Sequence, residues 1–305
     1  MRLIAVFCFI LAALPLATVA SERSKLGYGR LITNDLIGDR RDRWRTGSVA
    51  SSWIWGPDWQ GRAPDRFGQL IELRFNAEII APENLTAPAP GDRPFVGAVS
   101  IGAHTHYDLR GVEIAVGGDL TIVGPQTGLD DLQAGLHDIF HGQDQASAVR
   151  NTQIGNDVYP TGVVELGRTL NIGERVALRP FVEARAGVET LARVGADLSF
   201  GEIGQGALLI RDPVTGQRYR AIQNAVPGFS LTFGGDVAYV DQSQYLPSDR
   251  GYVVEDARSR LRGGVHWQGR TGHRAFYGLT WLGREFEGQR KSGQIVGSVR
   301  LHVEF

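Results

Sequence analysis

Apolar and polar residues alternate along most of the chain, and a period of two predicts β-strands. Between positions 71 and 79 every second side chain is apolar, and those between are polar or charged: Ile71, Leu73, Phe75, Ala77 and Ile79 against Glu72, Arg74, Asn76 and Glu78. Comparable runs cover 112–122, 176–186, 229–239, 261–267 and 275–281. The pattern predicts an all-β fold.

Two features of these runs favour a membrane barrel over a soluble β-sandwich. Each run is about ten residues long, the length that a tilted strand needs to cross a bilayer. Their polar faces carry full charges such as Arg74 and Glu183, which suit a wet lumen behind a lipid-facing apolar band. We therefore expect a transmembrane antiparallel β-barrel of about twelve strands. The final alternating residues, which end at Phe305, resemble the closing strand of bacterial outer-membrane proteins.

Residues 1–20 have the composition of a cleaved secretory signal peptide. Arg2 is followed by an apolar run and then by small residues up to Ala20. The alternative is a membrane anchor, but the apolar run is shorter than the ~20 residues of a spanning helix. The single cysteine, Cys8, would leave with the signal, so residues 21–305 would form one disulfide-free barrel domain.

Charge and motifs narrow the function further. The formal net charge is −1, which gives no general attraction for nucleic acid. The chain has no H-E-x-x-H zinc motif, no phosphate-binding P-loop and no G-x-S-x-G nucleophile elbow. We expect an outer-membrane protein that is monomeric and binds no nucleic acid.

Tracing the strands from the periplasm predicts which residues share the outer rim, because outer-membrane barrels usually begin and end in the periplasm. Strands are predicted at 26–33, 46–55, 67–80, 95–106 and 112–123. This places Asn34, Asp35 and Thr46 at the outer rim. The loop at 124–157 lies at the same rim and contains helical spacing over 129–141, with Thr127 at its start and Gly142 at its end. Residues 202–227 are poorly patterned, so the strands there are undefined.

Two groups of rim residues could carry chemistry. Gln133 and His137 are four residues apart and share one helix face, and a histidine near polar groups is a candidate general base. The alternative is an ordinary solvent-facing polar side of a loop helix. Asn34 and Asp35, with aspartates nearby, offer hard oxygen ligands for Ca²⁺ or Mg²⁺, or else form a common charged loop.

Several short segments, in order, resemble the outer-membrane lipid A 3'-O-deacylase family, LpxR. They lie mainly in the first half of the chain and are Asn34-Asp35, Asp42-Arg43 with Thr46, the run Gly91-Asp92-Arg93-Pro94-Phe95, Gly124-Pro125 through Gln133 to His137, Gln153, and Asn156-Asp157. The chain departs from the family pattern where a Glu follows the helix, because here Gln143 and Asp144 follow after an extra residue.

The resemblance implies a fold, an activity and residue roles. It implies a twelve-stranded barrel that hydrolyses the 3'-linked acyloxyacyl ester of lipid A, the lipid anchor of lipopolysaccharide, and that depends on Ca²⁺. His137 would be the base that activates water, and Gln133 would support the site. Asp35, with Asn34 and Thr46, would hold the Ca²⁺ that stabilises the oxyanion, and Asp144 would be a possible substitute for the Glu that follows the helix in the family. The residues alone leave two alternatives open: a phospholipase-like esterase and a barrel without enzymatic activity.

Overall fold

The computed structural model describes residues 23–140, 145–201, 204–224, 226–290 and 292–304. The predicted signal segment and residues 141–144, including Gly142 and Asp144, lie outside these ranges, as does Phe305. The cleavage of residues 1–20 therefore stays a prediction.

Fifteen strands and two α-helices make up the described part of the chain. The strands are β1 (Ser24–Asn34), β2 (Trp44–Gly56), β3 (Leu70–Ala81), β4 (Val96–Leu109), β5 (Val112–Val123), β6 (Asp157–Gly167), β7 (Leu170–Asn171), β8 (Val176–Ala186), β9 (Glu189–Gly201), β10 (Leu208–Arg211), β11 (Arg218–Ile222), β12 (Gly228–Ser243), β13 (Ala257–Gln268), β14 (Arg274–Gly283) and β15 (Gly293–His302). The helices are α1 (Leu129–Phe140) and α2 (Ser147–Thr152). Among the described helices, none is long and apolar enough to cross a membrane.

Twelve strands close into one antiparallel barrel, as predicted. Each strand from β1 to β6 pairs with the next, and β6 then pairs with β8. The sheet continues through β9, β12, β13 and β14 to β15, and the pairing of β1 with β15 completes the ring. A closed ring leaves no unpaired strand edge, which a barrel in hydrocarbon requires.

Strand β12 shows how the alternation builds the wall. Its outward residues are large and apolar and reach exposures of 68% at Phe229 and 60% at Tyr239. The inward Asp236 is 5% exposed and accepts hydrogen bonds from Arg193, Arg260 and Arg262. Because the outer surface faces lipid, charge is confined to the lumen, where carboxylates and guanidinium groups are paired.

The poorly patterned segment after β9 forms an inward-folded hairpin. Strands β10 and β11 pair with each other inside the barrel, and Tyr219 packs against the wall with its hydroxyl 2.7 Å from Ser52 Oγ. The approach is close enough that a Cβ on Gly27 of β1 would collide with the backbone oxygen of Ala221. The lumen is therefore occupied by protein at this level, and β10 and β11 add no strand to the wall.

Candidate functional site at the outer rim

The first hairpin and helix α1 meet at the rim opposite the chain termini. Helix α1 belongs to the 124–156 connection, which leaves the wall at β5 and returns at β6. It starts one residue after Gly128, and the Thr127 hydroxyl accepts a hydrogen bond from the Leu129 amide at 3.4 Å. The described helix ends at Phe140, within one residue of the predicted end.

Helix α1 turns its polar face inward and its apolar face outward. Gln133 is buried, and the His137 side chain is only 14% exposed. On the other side, Leu132 is 53% and Ile139 is 68% exposed. The alternative of a solvent-facing polar side is therefore wrong for this helix. A helix with this orientation matches a position against the lipid of the outer leaflet.

Asp42 connects the helix to the first hairpin. His137 Nε2 lies 3.0 Å from Asp42 Oδ2, and the Thr46 hydroxyl donates to the other carboxylate oxygen, Oδ1, at 2.5 Å. Asp42 thus joins Thr46 and His137, which are 91 positions apart in sequence, in one polar cluster. From the sequence, Asp42 was one of the aspartates near Asn34 and Asp35 that offer oxygen ligands, but no contact with His137 was predicted. Its place four residues before Thr46 was the available signal, but its contact with His137 is long-range.

Asp35 lies at the base of this cluster and is fully buried. Its backbone amide donates to the Thr46 carbonyl at 3.0 Å, and its Oδ2 accepts the Arg43 amide at 2.9 Å. Its Oδ1 has no hydrogen-bond partner among the described residues. A buried carboxylate oxygen without a partner is costly unless a cation or proton reaches it.

The electrostatics at Asp35 point to missing positive charge. Burial raises the pKa of Asp35 to about 8, and repulsion from Asp42 and Asp39 adds to the rise. The hydrogen bond from the Arg43 amide and the nearby Thr46 hydroxyl oppose this rise only in part. The guanidinium group of Arg43 is bound to Asp39 at 2.7 Å. Among the described residues, no guanidinium group forms an ion pair with the Asp35 carboxylate.

The other predicted residues lie nearby with different contacts. Asn34 ends β1, and its Oδ1 accepts the Leu36 amide at 2.8 Å, which shapes the loop around Asp35. Gln133 is one helical turn before His137 on the same buried face. Gln153 donates to Asp130 at 3.4 Å and ties helix α1 to the segment that leads into β6.

The donor set fits a hard divalent cation. No group of three or more His, Cys, Asp or Glu side chains in the described ranges is arranged as a metal cluster. Asp35 Oδ1 is a buried carboxylate oxygen without a partner, and two neighbours carry neutral side-chain oxygens: the adjacent Asn34, and Thr46, whose carbonyl accepts the Asp35 amide. Ca²⁺ takes six to eight oxygen ligands, several of them commonly neutral groups or water. Asp35 would be the charged ligand of such a site.

The closed barrel and the polar cluster at its mouth define a bacterial outer-membrane protein with a rim site. The family model for outer membrane protein LpxR matches residues 3–305. The chain therefore belongs to the LpxR family and resides in the bacterial outer membrane.

One solved structure agrees with this assignment at the level of the fold. LpxR from Salmonella typhimurium is 17% identical with a TM-score of 0.69, and the match covers 92% of this chain and 100% of that one. The β domain of the Bordetella autotransporter BrkA is 12% identical with a TM-score of 0.41, covering 91% and 98% of the two chains. No curated protein matches in a sequence comparison.

Proposed function

We propose that this protein is a Ca²⁺-dependent hydrolase that removes the 3'-linked acyloxyacyl group from lipid A, with His137 as general base. Membership of the LpxR family and the outer-membrane location support this substrate, because lipid A lies at the level of the outer rim. The observation that carries the proposal is the 3.0 Å contact between His137 Nε2 and Asp42, next to a buried carboxylate with an oxygen that lacks a partner.

In the proposed reaction, His137 takes a proton from a water molecule as that water attacks the ester carbonyl carbon. Asp42 orients the ring and stabilises the imidazolium that forms, and Thr46 holds Asp42 in place. When the tetrahedral intermediate collapses, the ester C–O bond breaks and the proton passes from His137 to the departing sugar oxygen. The acyl group leaves as a fatty acid, and the sugar regains its 3'-hydroxyl.

Ca²⁺ would be held chiefly by Asp35, with oxygens from Asn34 and Thr46. When bound, it supplies positive charge where negative charge develops on the ester oxygen. Asp35 is suited to hold it because its Oδ1 is buried and accepts no hydrogen bond from the described residues. Gln133, buried beside His137, would support the site from the helix.

The orientation of helix α1 supports a lipid substrate. Its exposed apolar row, Leu132, Leu136 and Ile139, lies on the opposite side of the helix from the catalytic histidine. Acyl chains of the outer leaflet can contact this row while the ester reaches the polar face. The hairpin β10–β11 inside the lumen argues against a wide open pore.

The decisive experiment compares substrates and variants with purified, refolded protein. Lipid A and defined glycerophospholipids are incubated separately with the wild type and with His137→Ala, and the products are read by mass spectrometry. The proposal predicts loss of the 3'-linked group from lipid A by the wild type only. Asp138→Asn, an exposed neighbour on the same helix, is the control and should retain activity.

Other outcomes would replace the proposal. Cleavage of phospholipids with lipid A left intact would assign a phospholipase-like esterase to the same rim. Equal cleavage of lipid A by wild type and His137→Ala would remove His137 from the mechanism. Ion conductance in planar bilayers without ester cleavage at any Ca²⁺ concentration would indicate a barrel without enzymatic activity.

A further inference from the structure

A second polar cavity lies at the opposite, periplasmic end of the lumen. It has a volume of about 410 Å³ and is bounded by the inward hairpin, the inner faces of β3 to β9, β12 and β13, and the connection between β2 and β3. In that connection, Trp59 Nε1 donates to the Gly206 carbonyl at 2.8 Å, and the neighbouring Arg62 is exposed. The cavity therefore faces the periplasm and is separate from the outer rim.

Most arginines around this cavity are neutralised by carboxylates at close range. Arg211 lies 2.7 Å from Glu165 and 2.8 Å from Asp197. Arg179 lies 2.7 Å from both Glu165 and Glu113. Each of these three carboxylates, Glu113, Glu165 and Asp197, therefore already accepts a guanidinium group.

Two arginines of the hairpin are not neutralised in this way. Arg218 and Arg220 are two residues apart on β11, so their side chains share one strand face about 7 Å apart. Arg220 is 3% exposed, and its Nη1 donates to the neutral Oε1 of Gln268 at 2.7 Å. Arg218 approaches Glu113 only to 3.9 Å, and that carboxylate is already bound by Arg179. In the described ranges, no carboxylate lies within ion-pair distance of Arg220.

One more guanidinium group and a buried histidine lie at the same position. His266 lines the cavity and is 4% exposed, with its ring 4.4 Å from that of Phe276. Arg300 donates to the backbone oxygen of Arg220. A buried guanidinium group beside other cations is costly unless an anion compensates it.

We propose that this cavity binds a small phosphate-bearing anion from the periplasm, held between Arg218 and Arg220 with His266 beside it. The planar guanidinium fork matches phosphate oxygens in a bidentate geometry, and two forks on one strand face can bind one phosphate group from two directions. A free phosphate and the headgroup of a lipid present the same chemistry. The site is independent of the rim reaction.

Calorimetric titration of the refolded full-length protein tests this directly. The protein is kept in a phosphate-free detergent with a chelator, so that no rim cation recruits the anion. Inorganic phosphate and glycerol 3-phosphate, a headgroup mimic, are titrated separately. We expect one site per barrel for at least one probe, and the tighter probe indicates the source. Combining Arg218→Gln with Arg220→Gln should weaken binding about tenfold or more.

Two controls separate this site from general charge effects. Arg110→Gln removes an exposed arginine at the periplasmic end, and Arg40→Gln removes one at the outer rim, so both should bind like the wild type. Heat-modified gel mobility verifies that each barrel is folded. If the double variant does not fold, Arg218→Gln alone is held to the same tenfold criterion. Absence of saturable binding to the wild type, or a double variant within twofold of it, overturns the proposal.

Discussion

Asp35 at the rim and Glu285 just inside it are both buried carboxylates, but their surroundings differ. Glu285 accepts Arg45 Nε at 2.7 Å, contacts Arg93, and has Arg258 at 3.6 Å. Burial acts to raise the pKa of Glu285, but these three arginines hold it well below its usual range. Asp35 has no such partner, and burial raises its pKa to about 8.

The difference separates a structural region from a functional one. Around Glu285, carboxylates and arginines lie within ion-pair distance of one another, so each buried charge there has an opposite charge beside it. At the rim, Asp35 lies near Asp39 and Asp42, and its Oδ1 accepts no hydrogen bond from the described residues. Strongly perturbed carboxyl groups of this kind are typical of sites that bind a cation or transfer protons.

The largest effect should come from removing the proposed base. We expect His137→Ala to lower the rate of lipid A deacylation by about 10³-fold, because general-base catalysis contributes ~10²–10⁴-fold. Folding should be unaffected, since the ring is at the rim and outside the ion-paired lumen. Initial rates by mass spectrometry, with gel mobility as the folding control, provide the measurement. A rate within tenfold of the wild type would contradict the role.

A loss of stability is expected from changing the ion-paired region around Glu285. Glu285→Gln leaves Arg93 without its carboxylate and should lower the free energy of unfolding by about 3 kcal/mol, as for a broken buried ion pair. Asp35→Asn removes an uncompensated charge and should not lower stability at pH 9 in chelator. Urea titrations of the two variants in one detergent measure this. Equal destabilisation by both would remove the contrast between the regions.

The raised pKa of Asp35 should also make the free energy of unfolding depend on pH when it is measured in chelator. The pKa of Asp35 lies near 8 in the folded protein and near 3.8 for the ordinary group. Between these values the folded state holds a proton that the unfolded state has released, so the free energy of unfolding should fall as pH rises from about 4 to about 8. Asp35→Asn should make this part of the profile flatter. An unchanged slope in the variant would show that Asp35 is not the group responsible.

The sequence alone was sufficient to predict the barrel and to predict which segments share its outer rim. Alternation reflects the two faces of each wall strand, so it predicted the closed twelve-stranded ring. It also placed the first hairpin and the 129–141 helix at the same rim. The inward hairpin was missed because β10 and β11 are only four and five residues long and pack against a largely polar lumen.

The rim site could be predicted from the sequence only in part, for a different reason. Helical spacing put Gln133 and His137 on one face, but it could not say which face is buried. In a soluble protein the apolar face of a helix is usually buried, but beside lipid it can be the outer face. In α1 the leucine side is the exposed one. The contact of His137 with Asp42 joins distant parts of the chain and leaves no periodic trace in the sequence.

A moderate effect is expected from the carboxylate that orients the base. Asp42→Asn keeps the shape of the side chain but removes the charge that would stabilise the imidazolium, so we expect the rate to fall by about 30-fold, the order of one charge-assisted hydrogen bond. Asp138→Asn is the matched control on the exposed face. An Asp42→Asn rate equal to that of the control would make the 3.0 Å contact catalytically irrelevant.

The smallest effect should come from the apolar face of α1. Leu136 is 42% exposed on the side that faces lipid. Leu136→Asn should reduce lipid A deacylation in membranes by a few-fold while leaving the rate on detergent-dispersed lipid A nearly unchanged, because one leucine contributes about 1.5–3 kcal/mol when fully buried and less when partly exposed. Equal rates in membranes would indicate that this row does not contact lipid.

The most direct measurement follows release of the 3'-linked acyl group as free Ca²⁺ is titrated, for the wild type and for Asp35→Asn. The wild type should be inactive in chelator and should reach full rate in a saturable way. The variant should require at least about 100-fold more Ca²⁺, because it loses the one charged ligand. Full activity of the wild type in chelator, or superimposable titrations, would contradict a cation site at Asp35.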